Sequence, residues 1–207
     1  EWLAAGEGER QLAWWRAQLG DTHAVLDLRT DHPRKPQAGY SAARHAFELP
    51  ASLLAQLRKT ADGGNATLFM VLLAGFQALL HRYTGQEEIR IGVPIANRNR
   101  VESEGVVGLF VNTLVLRNPI HGRLGASRVL AQARDAVLGA QAHQDLPFEQ
   151  LVQMLQPERS LSRTPLFQVM FNHLFEDYRS LGQLPGIAAQ DHALPDLAAQ
   201  FELTLEA

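Results

Sequence analysis

With 207 residues, 46% of them apolar and 20% charged, the chain holds enough core-forming material to exclude disorder as its main state. Nineteen Lys and Arg against 22 Asp and Glu leave a net charge of −3, and no window supplies the basic stripe of a general nucleic-acid binder; the densest cluster is Asn97-Arg98-Asn99-Arg100. Cysteine is absent, which removes disulfides, thiolate metal sites and a cysteine nucleophile, and fits a cytoplasmic setting. The most apolar run, Leu68 to Leu80, is broken by Gly75 and Gln77 and is shorter than the roughly 20 residues a bilayer span needs, so no membrane association is expected. The first residues show no basic stretch followed by an apolar one, hence no signal peptide.

In chain order, Glu7 to Leu19 predicts an amphipathic helix with Leu12, Trp15 and Leu19 at helical spacing and Gly20 closing it. Asp31 to Pro36 carries two prolines within four residues and reads as an extended connector. Ala43 to Leu49 alternates weakly and predicts a strand. Pro50 then opens a helix through about Ala61, ended by Gly63-Gly64. Thr67 to Tyr83 is apolar nearly all round and predicts a helix buried on most sides. Ile89, Ile91, Val93 and Ile95 alternate on one face of a strand whose end Pro94 places at an edge or bulge.

A polar loop from Ala96 to Gly105 follows, then a long strand from Val107 to Arg117. Ser127 to Gln141 predicts a helix with Val129, Leu130, Ala133 and Val137 inward, and Pro147 with Glu149 starts a shorter one. Leu166 to Asn172 predicts a strand, Glu176 to Pro195 is loop-rich, and a last strand begins near Gln200. Alternating strands and helices give an α/β fold: a two-layer sandwich of mixed sheet and helices. The chain lacks an initiator Met and stops inside an alternating pattern, Phe201 to Ala207, so it is read as a piece of a longer polypeptide.

Few residues offer chemistry by spacing alone. The eight histidines stand at 23, 32, 45, 81, 121, 143, 173 and 192, with no pair three to five apart, so no metal frame is expected. No Gly-x-Ser-x-Gly elbow, dinucleotide fingerprint or phosphate loop is present. His143 and Asp145 are two apart and cannot face each other on a helix, which leaves a helix end leading into the Pro147 start as the plain reading.

Asn112 is a carboxamide set among Phe110, Leu114 and Leu116 on one strand face. A buried amide must be satisfied, either by nearby backbone or by a polar substrate group in a channel it lines. Arg98 follows a strand end and has the reach to clamp backbone carbonyls or a carboxylate. Arg100, flanked by Glu102 and Glu104, belongs to a solvated charge cluster.

Together these segments resemble the later half of a condensation domain of nonribosomal peptide synthetases. Ile91-Gly-Val-Pro-Ile-Ala-Asn-Arg-Asn-Arg100 resembles the family's Ile-Gly-x-Pro-x-Ala-Asn/Gly-Arg motif, and Val107-Gly-Leu-Phe-Val-Asn-Thr-Leu-Val-Leu-Arg117 its Gly-x-Phe-Val-Asn-Thr motif. His143-Gln-Asp-Leu-Pro-Phe-Glu149 resembles its His-Gln-Asp-x-Pro-Phe-Glu motif, and Ser162 to Asn172 the strand that follows.

The resemblance implies the C-terminal lobe of a two-lobe domain, each lobe like half of chloramphenicol acetyltransferase, with a tunnel between them. Residues 1–207 would be that lobe, incomplete, with 1–36 the helix and connector from the inter-lobe region. Carrier proteins upstream and downstream would bring donor and acceptor as phosphopantetheine thioesters, beside an adjacent adenylation domain, and an amide would form. No cofactor would be bound directly.

Carried over by motif, Asn112 and Thr113 would line the interior, Asn97 and Arg98 would lie where the loop approaches the N-terminal lobe, and Gln144 and Asp145 would join the tunnel wall. The family's signature of adjacent histidines, three residues and Asp-Gly is missing. Before Asp62-Gly63 stand Leu57 and Arg58, so the catalytic histidine is expected off this chain and the chain alone is expected to be inactive. The alternatives are an epimerization or heterocyclization domain of the same architecture, or a non-catalytic docking module for carrier proteins.

Overall fold

The computed structural model describes residues 5–32, 42–99, 101–155, 164–174 and 199–207. Helix α1 (Glu7–Leu19) begins after Gly6, at φ 104°, and ends on Gly20, at φ 69°. Its buried stripe is Gln11, Leu12, Trp15 and Leu19. Helix α2 (Ala51–Gly63) follows Pro50, and α3 (Leu68–Thr84) is capped by Thr67, whose hydroxyl accepts from the Met70 N–H at 3.3 Å. Strand β1 is Glu88–Ile95, α4 Val101–Glu104, β2 Asn112–Pro119 and α5 Ala126–Gln141. Helix α6 (Phe148–Leu155) and strands β3 (Val169–Asn172) and β4 (Leu203–Glu206) complete the described elements.

The strands form one mixed sheet in the order β2-β1-β3-β4. β1 and β2 are antiparallel, with Ile89 opposite Asn118 and Ile95 opposite Asn112. β3 runs parallel to β1, with Gly92 opposite Met170, and β4 parallel to β3. Side chains alternate across this sheet. One face carries Ile89, Ile91 and Val93 with Leu114 and Leu116, all buried, and α3 and α5 form the helical layer over it.

The other face carries Glu88, Arg90 and Gly92, against which the C-terminal end of α1 and the Phe167 ring are seated. The expected mixed α/β sandwich is therefore present, with α1 and α6 added against the sheet's second face.

That second face is organised by ions. Glu88 accepts from Arg90 and, at 2.7 Å, from Arg117. Arg90, only 4% exposed, also donates to the Leu19 and Thr22 carbonyls at 2.8 and 2.7 Å and lies 2.7 Å from His23 Nδ1. Arg117 donates to the Gln18 carbonyl at 3.0 Å. Two strand arginines thus hold the last carbonyls of α1, the negative end of its dipole. Burial pushes Glu88 upward, but the hydrogen bond from Arg117 and the charge of Arg90 outweigh it and hold the carboxyl below its ordinary value. Burial, then the Arg90 charge, push His23 below its ordinary value.

Several predicted boundaries shift. Ala43 to Leu49 is not a strand: it has no sheet partner among the described residues, its side chains are largely exposed, and Arg44 makes an ion pair with Glu206 at 3.5 Å. The strand expected from Val107 starts at Asn112, because β1 ends opposite that residue and Asn97, at φ 52°, turns the chain away. The strand expected from Leu166 starts at Val169, since Leu166 has φ 67° and the Phe167 N–H closes a turn onto the Pro165 carbonyl.

The loop after β1 contains the one-turn α4, and α3 is buried on most sides as expected, with a single exposed stripe at Gly75, Leu79 and Tyr83. Pro94 lies in the interior strand, two residues past the Gly92–Met170 pairing. Most of the connector, the Glu176–Pro195 region and Arg100 lie outside the described residues.

Two outcomes follow from the packing of this face. A Cβ at Gly92 would stand 2.3 Å from the Phe167 ring, so Gly92→Ala should lower the urea-unfolding free energy by about 1–3 kcal/mol, and adding Phe167→Leu should restore part of it. The depressed Glu88 and His23 values mean that each group's stabilisation is complete above its unfolded value and is lost as pH falls through its folded one. Urea titrations should therefore show stability declining below about pH 6.5 and again below about 4.5, with Glu88→Gln making the second decline smaller while the share from Glu7 remains.

Candidate functional site

The candidate residues come from sequence positions far apart and converge at one end of the β1–β2 pair. Asn112, the first residue of β2, is buried opposite Ile95, and Thr113 is opposite Pro94. The Asn112 carboxamide is fully used. Nδ2 donates to the Gln144 carbonyl at 2.9 Å and the Leu146 carbonyl at 3.0 Å; Oδ1 accepts from the N–H groups of Phe148 at 3.0 Å and Thr113 at 2.9 Å. Of the two roles the sequence left open for this amide, the geometry fills the backbone-bonded one. One side chain thereby ties the α5–α6 turn to the sheet and meets the α6 N-terminus with an acceptor.

The same turn is gripped from the other side by α1. The side chain of Gln11, fully buried, accepts from the Leu146 N–H at 2.9 Å and donates to Asp145 Oδ2 at 3.3 Å and Glu7 Oε1 at 3.0 Å. Trp15 Nε1 donates to the His143 carbonyl at 2.9 Å. The His143 ring stacks on Trp14 at 4.4 Å between centroids, with Nδ1 2.8 Å from the Gly139 carbonyl and Nε2 3.1 Å from Arg10. A carbonyl only accepts and a guanidinium only donates, which puts the proton on Nδ1 and makes Nε2 the acceptor. Hydrogen bonds from Arg10, then from Gln11, hold the Glu7 carboxyl down at about 2.

Past β1, Arg98 closes the third segment. Its guanidinium donates to the carbonyls of Ser103, Val106 at 2.9 Å and Gly108 at 3.2 Å, and lies 4.2 Å from the Phe110 ring centroid. This is the carbonyl clamp among the roles open to it in sequence. It arches the 103–108 loop and leaves Val107 and Leu109 outward, 100% and 90% exposed. Asn97, half-buried at φ 52°, makes the turn into this arch. His143 and Asp145 do not form a dyad: each is bonded to a different residue of α1.

Gln11, Arg10 and Trp14 were not among the sequence candidates. A glutamine inside an otherwise apolar helix stripe, next to Leu12 and one turn before Trp15, is the signal that could have found the first of them. Among the described residues no cluster of metal-ligating side chains exists, and no single helix is long and apolar enough to cross a membrane.

The whole chain, residues 1–207, matches the family described as Condensation domain. The chain belongs to the condensation-domain family. It is 38% identical, over 99% of its length, to part of malpibaldin synthetase of Mortierella alpina, covering 4% of that protein. It is also 43% identical, over 94% of its length, to phosphinothricin tripeptide synthetase PhsC of Streptomyces viridochromogenes, covering 18% of it. The chain thus spans a small part of these relatives.

Among solved structures it resembles the condensation domain from the Monacolin K polyketide synthase MokA, with TM-score 0.70 and 26% identity over 83% of this chain and 42% of that one. It also resembles a complex of the X-domain and OxyB from teicoplanin biosynthesis, with TM-score 0.83 and 25% identity over 98% and 45%. As expected from the motifs, the condensation-domain chain has a mixed α/β architecture on a single mixed sheet, consistent with one chloramphenicol acetyltransferase-like lobe.

Replacing Asn112 should release the turn in a defined pattern. Asn112→Ala strands the Gln144 and Leu146 carbonyls and the Phe148 N–H, at a cost of about 3 kcal/mol. Hydrogen exchange at the Phe148 amide should accelerate more than at Leu146, whose partner is Gln11.

Proposed function

We propose that this chain supplies one wall of the passage in an amide-forming condensation domain of a nonribosomal peptide synthetase, an acyltransferase working on carrier-bound thioesters. The observation that carries this reading is the convergence just described: Asn97–Arg98, Asn112–Thr113 and Gln144–Asp145 meet at one end of two paired strands although up to 48 positions separate them. Each segment belongs to one of the motifs that resemble the family's.

In this reading a donor acyl or peptidyl group and an acceptor aminoacyl group arrive from opposite mouths, each on the phosphopantetheine arm of a carrier protein. The acceptor amine attacks the donor thioester carbonyl; the C–N bond forms, the C–S bond breaks, and the amine's proton ends on the departing thiol. The histidine that serves this step belongs to the N-terminal lobe, and no residue of this chain is assigned as catalytic.

The chain's own residues shape and orient. Asn112 fixes the Gln144–Asp145 turn to the sheet, and Thr113 follows it along the wall. Arg98 holds the loop whose outward Val107 and Leu109 meet the N-terminal lobe, with Asn97 setting the turn. An adjacent adenylation domain supplies the activated acceptor, phosphopantetheine enters only on the carriers, and the assembly is cytoplasmic.

Incubating this chain with both loaded carrier proteins and following intact masses should give no amide; adding the N-terminal lobe should give it. Turnover by the chain alone would overturn the reading. Exposed apolar side chains at Val101, Val107 and Leu109 should also make the isolated chain self-associate. Light scattering should show the association weakened in Val107→Ser/Leu109→Ser.

A further inference from the structure

The turn that presents Gln144 and Asp145 is held by two carboxamides from opposite sides, and only one of them lies on the motif-bearing strands. Asn112 reaches it from β2, through the carbonyls of Gln144 and Leu146 and the Phe148 N–H. Gln11 reaches it from α1, more than 130 positions earlier in the chain, through the Leu146 N–H and the Asp145 carboxylate. The Leu146 residue is therefore gripped at both poles, its N–H by Gln11 and its C=O by Asn112. A backbone segment held at both ends by buried partners has no freedom to rotate, and the side chains of its neighbours inherit that rigidity.

We infer that Gln11 is a positioning residue for the proposed condensation reaction, acting through Leu146 and Asp145 to fix the wall segment that faces the tethered substrates. This inference rests on the reading of the chain as one wall of an amide-forming passage.

Gln11 is chemically suited to this and to little else. It is fully buried, so its amide contributes nothing to solubility, and a leucine there would continue the apolar stripe of α1. Its oxygen takes one N–H, while its NH2 bridges two carboxylates, Glu7 and Asp145, that would otherwise repel. Glutamate at the same position would keep the acceptor and lose both donors, so the sign of the side chain's hydrogen-bonding is decisive. α1 itself is fixed at its far end by Arg90 and Arg117 on the strands, which gives Gln11 a rigid base from which to hold the turn.

The test uses the intact condensation domain, both lobes present, in its synthetase module, with both carriers loaded and single-turnover amide formation followed by mass spectrometry. Gln11→Ala should lower the rate constant roughly 10- to 100-fold while the apparent KM for either carrier stays within about twofold, because a displaced wall impairs orientation and not docking. Gln11→Glu should be at least as impaired, and Gln11→Glu with Asp145→Asn should recover part of the loss, since the asparagine NH2 then donates where the glutamine did.

Leu19→Val, at the opposite end of α1, serves as the stability control: it should lower the melting temperature and leave the rate constant unchanged at a temperature where the domain is folded. Wild-type domain that makes no amide would remove the functional reading and this inference together. Active wild type with equally active Gln11→Ala would remove the inference alone. So would an equal loss in Leu19→Val, or a double variant no better than Gln11→Glu, since either would reduce Gln11 to a structural part of α1.

Discussion

The bonds of a single buried carboxamide determine what this end of the molecule can be. Asn112 stands where β2 begins, and three of its four hydrogen bonds connect the sheet to a turn more than thirty residues later. A buried amide with every donor and acceptor satisfied adds little net stability by itself, but the same amide with one partner missing costs several times as much. The arrangement is accordingly all-or-none: the α5–α6 turn sits against β2 in one geometry or loses most of what holds it. Convergence of the Gln144–Asp145 segment onto Asn112–Thr113 depends on that geometry, while the β1–β2 register brings the Asn97–Arg98 segment to the same end.

A second layer of constraint holds α1. Strand arginines bind the carbonyls at its C-terminal end, and Arg10, Gln11 and Trp15 carry its middle onto the same turn. The helix is thus suspended between the polar face of the sheet and the motif segment, and it is not a cover held by apolar contact alone. Leu12, Trp15 and Leu19 supply its apolar burial; the polar contacts supply its register.

Much of the fold could be read from the chain because its helices announce themselves. Periodic apolar residues and Gly20 place α1 and α3 within a residue or two, and alternating isoleucines place β1. The strands that failed did so for tertiary reasons. Ala43 to Leu49 has the alternation of a strand but no described neighbour to bond, and Val107 to Val111 has it too but runs past the end of β1. Alternation reports which side chains face which way; it says nothing of whether a partner strand is there. For the site, Asn112 and Arg98 stood out as polar groups in telling positions. Gln11 did not, because its meaning lies in a peptide 135 residues away. Likewise the Gln77–Asn118 pair, joined at 2.9 Å between α3 and β2 and fully buried, reads in sequence as two unrelated polar residues.

The Phe167 ring lying on the backbone of Gly92 has a bearing on strand order. β3 is short, and its parallel pairing with β1 is set at Gly92 and Met170. Sliding β3 by one side-chain repeat in either direction would bring the ring over Arg90 or over Pro94, each of which fills the space that glycine leaves open. The missing Cβ therefore works as a detent: it gives the aromatic one notch to drop into along β1. With β3 indexed in this way, β4, which among the described strands is bonded only to β3, is indexed with it.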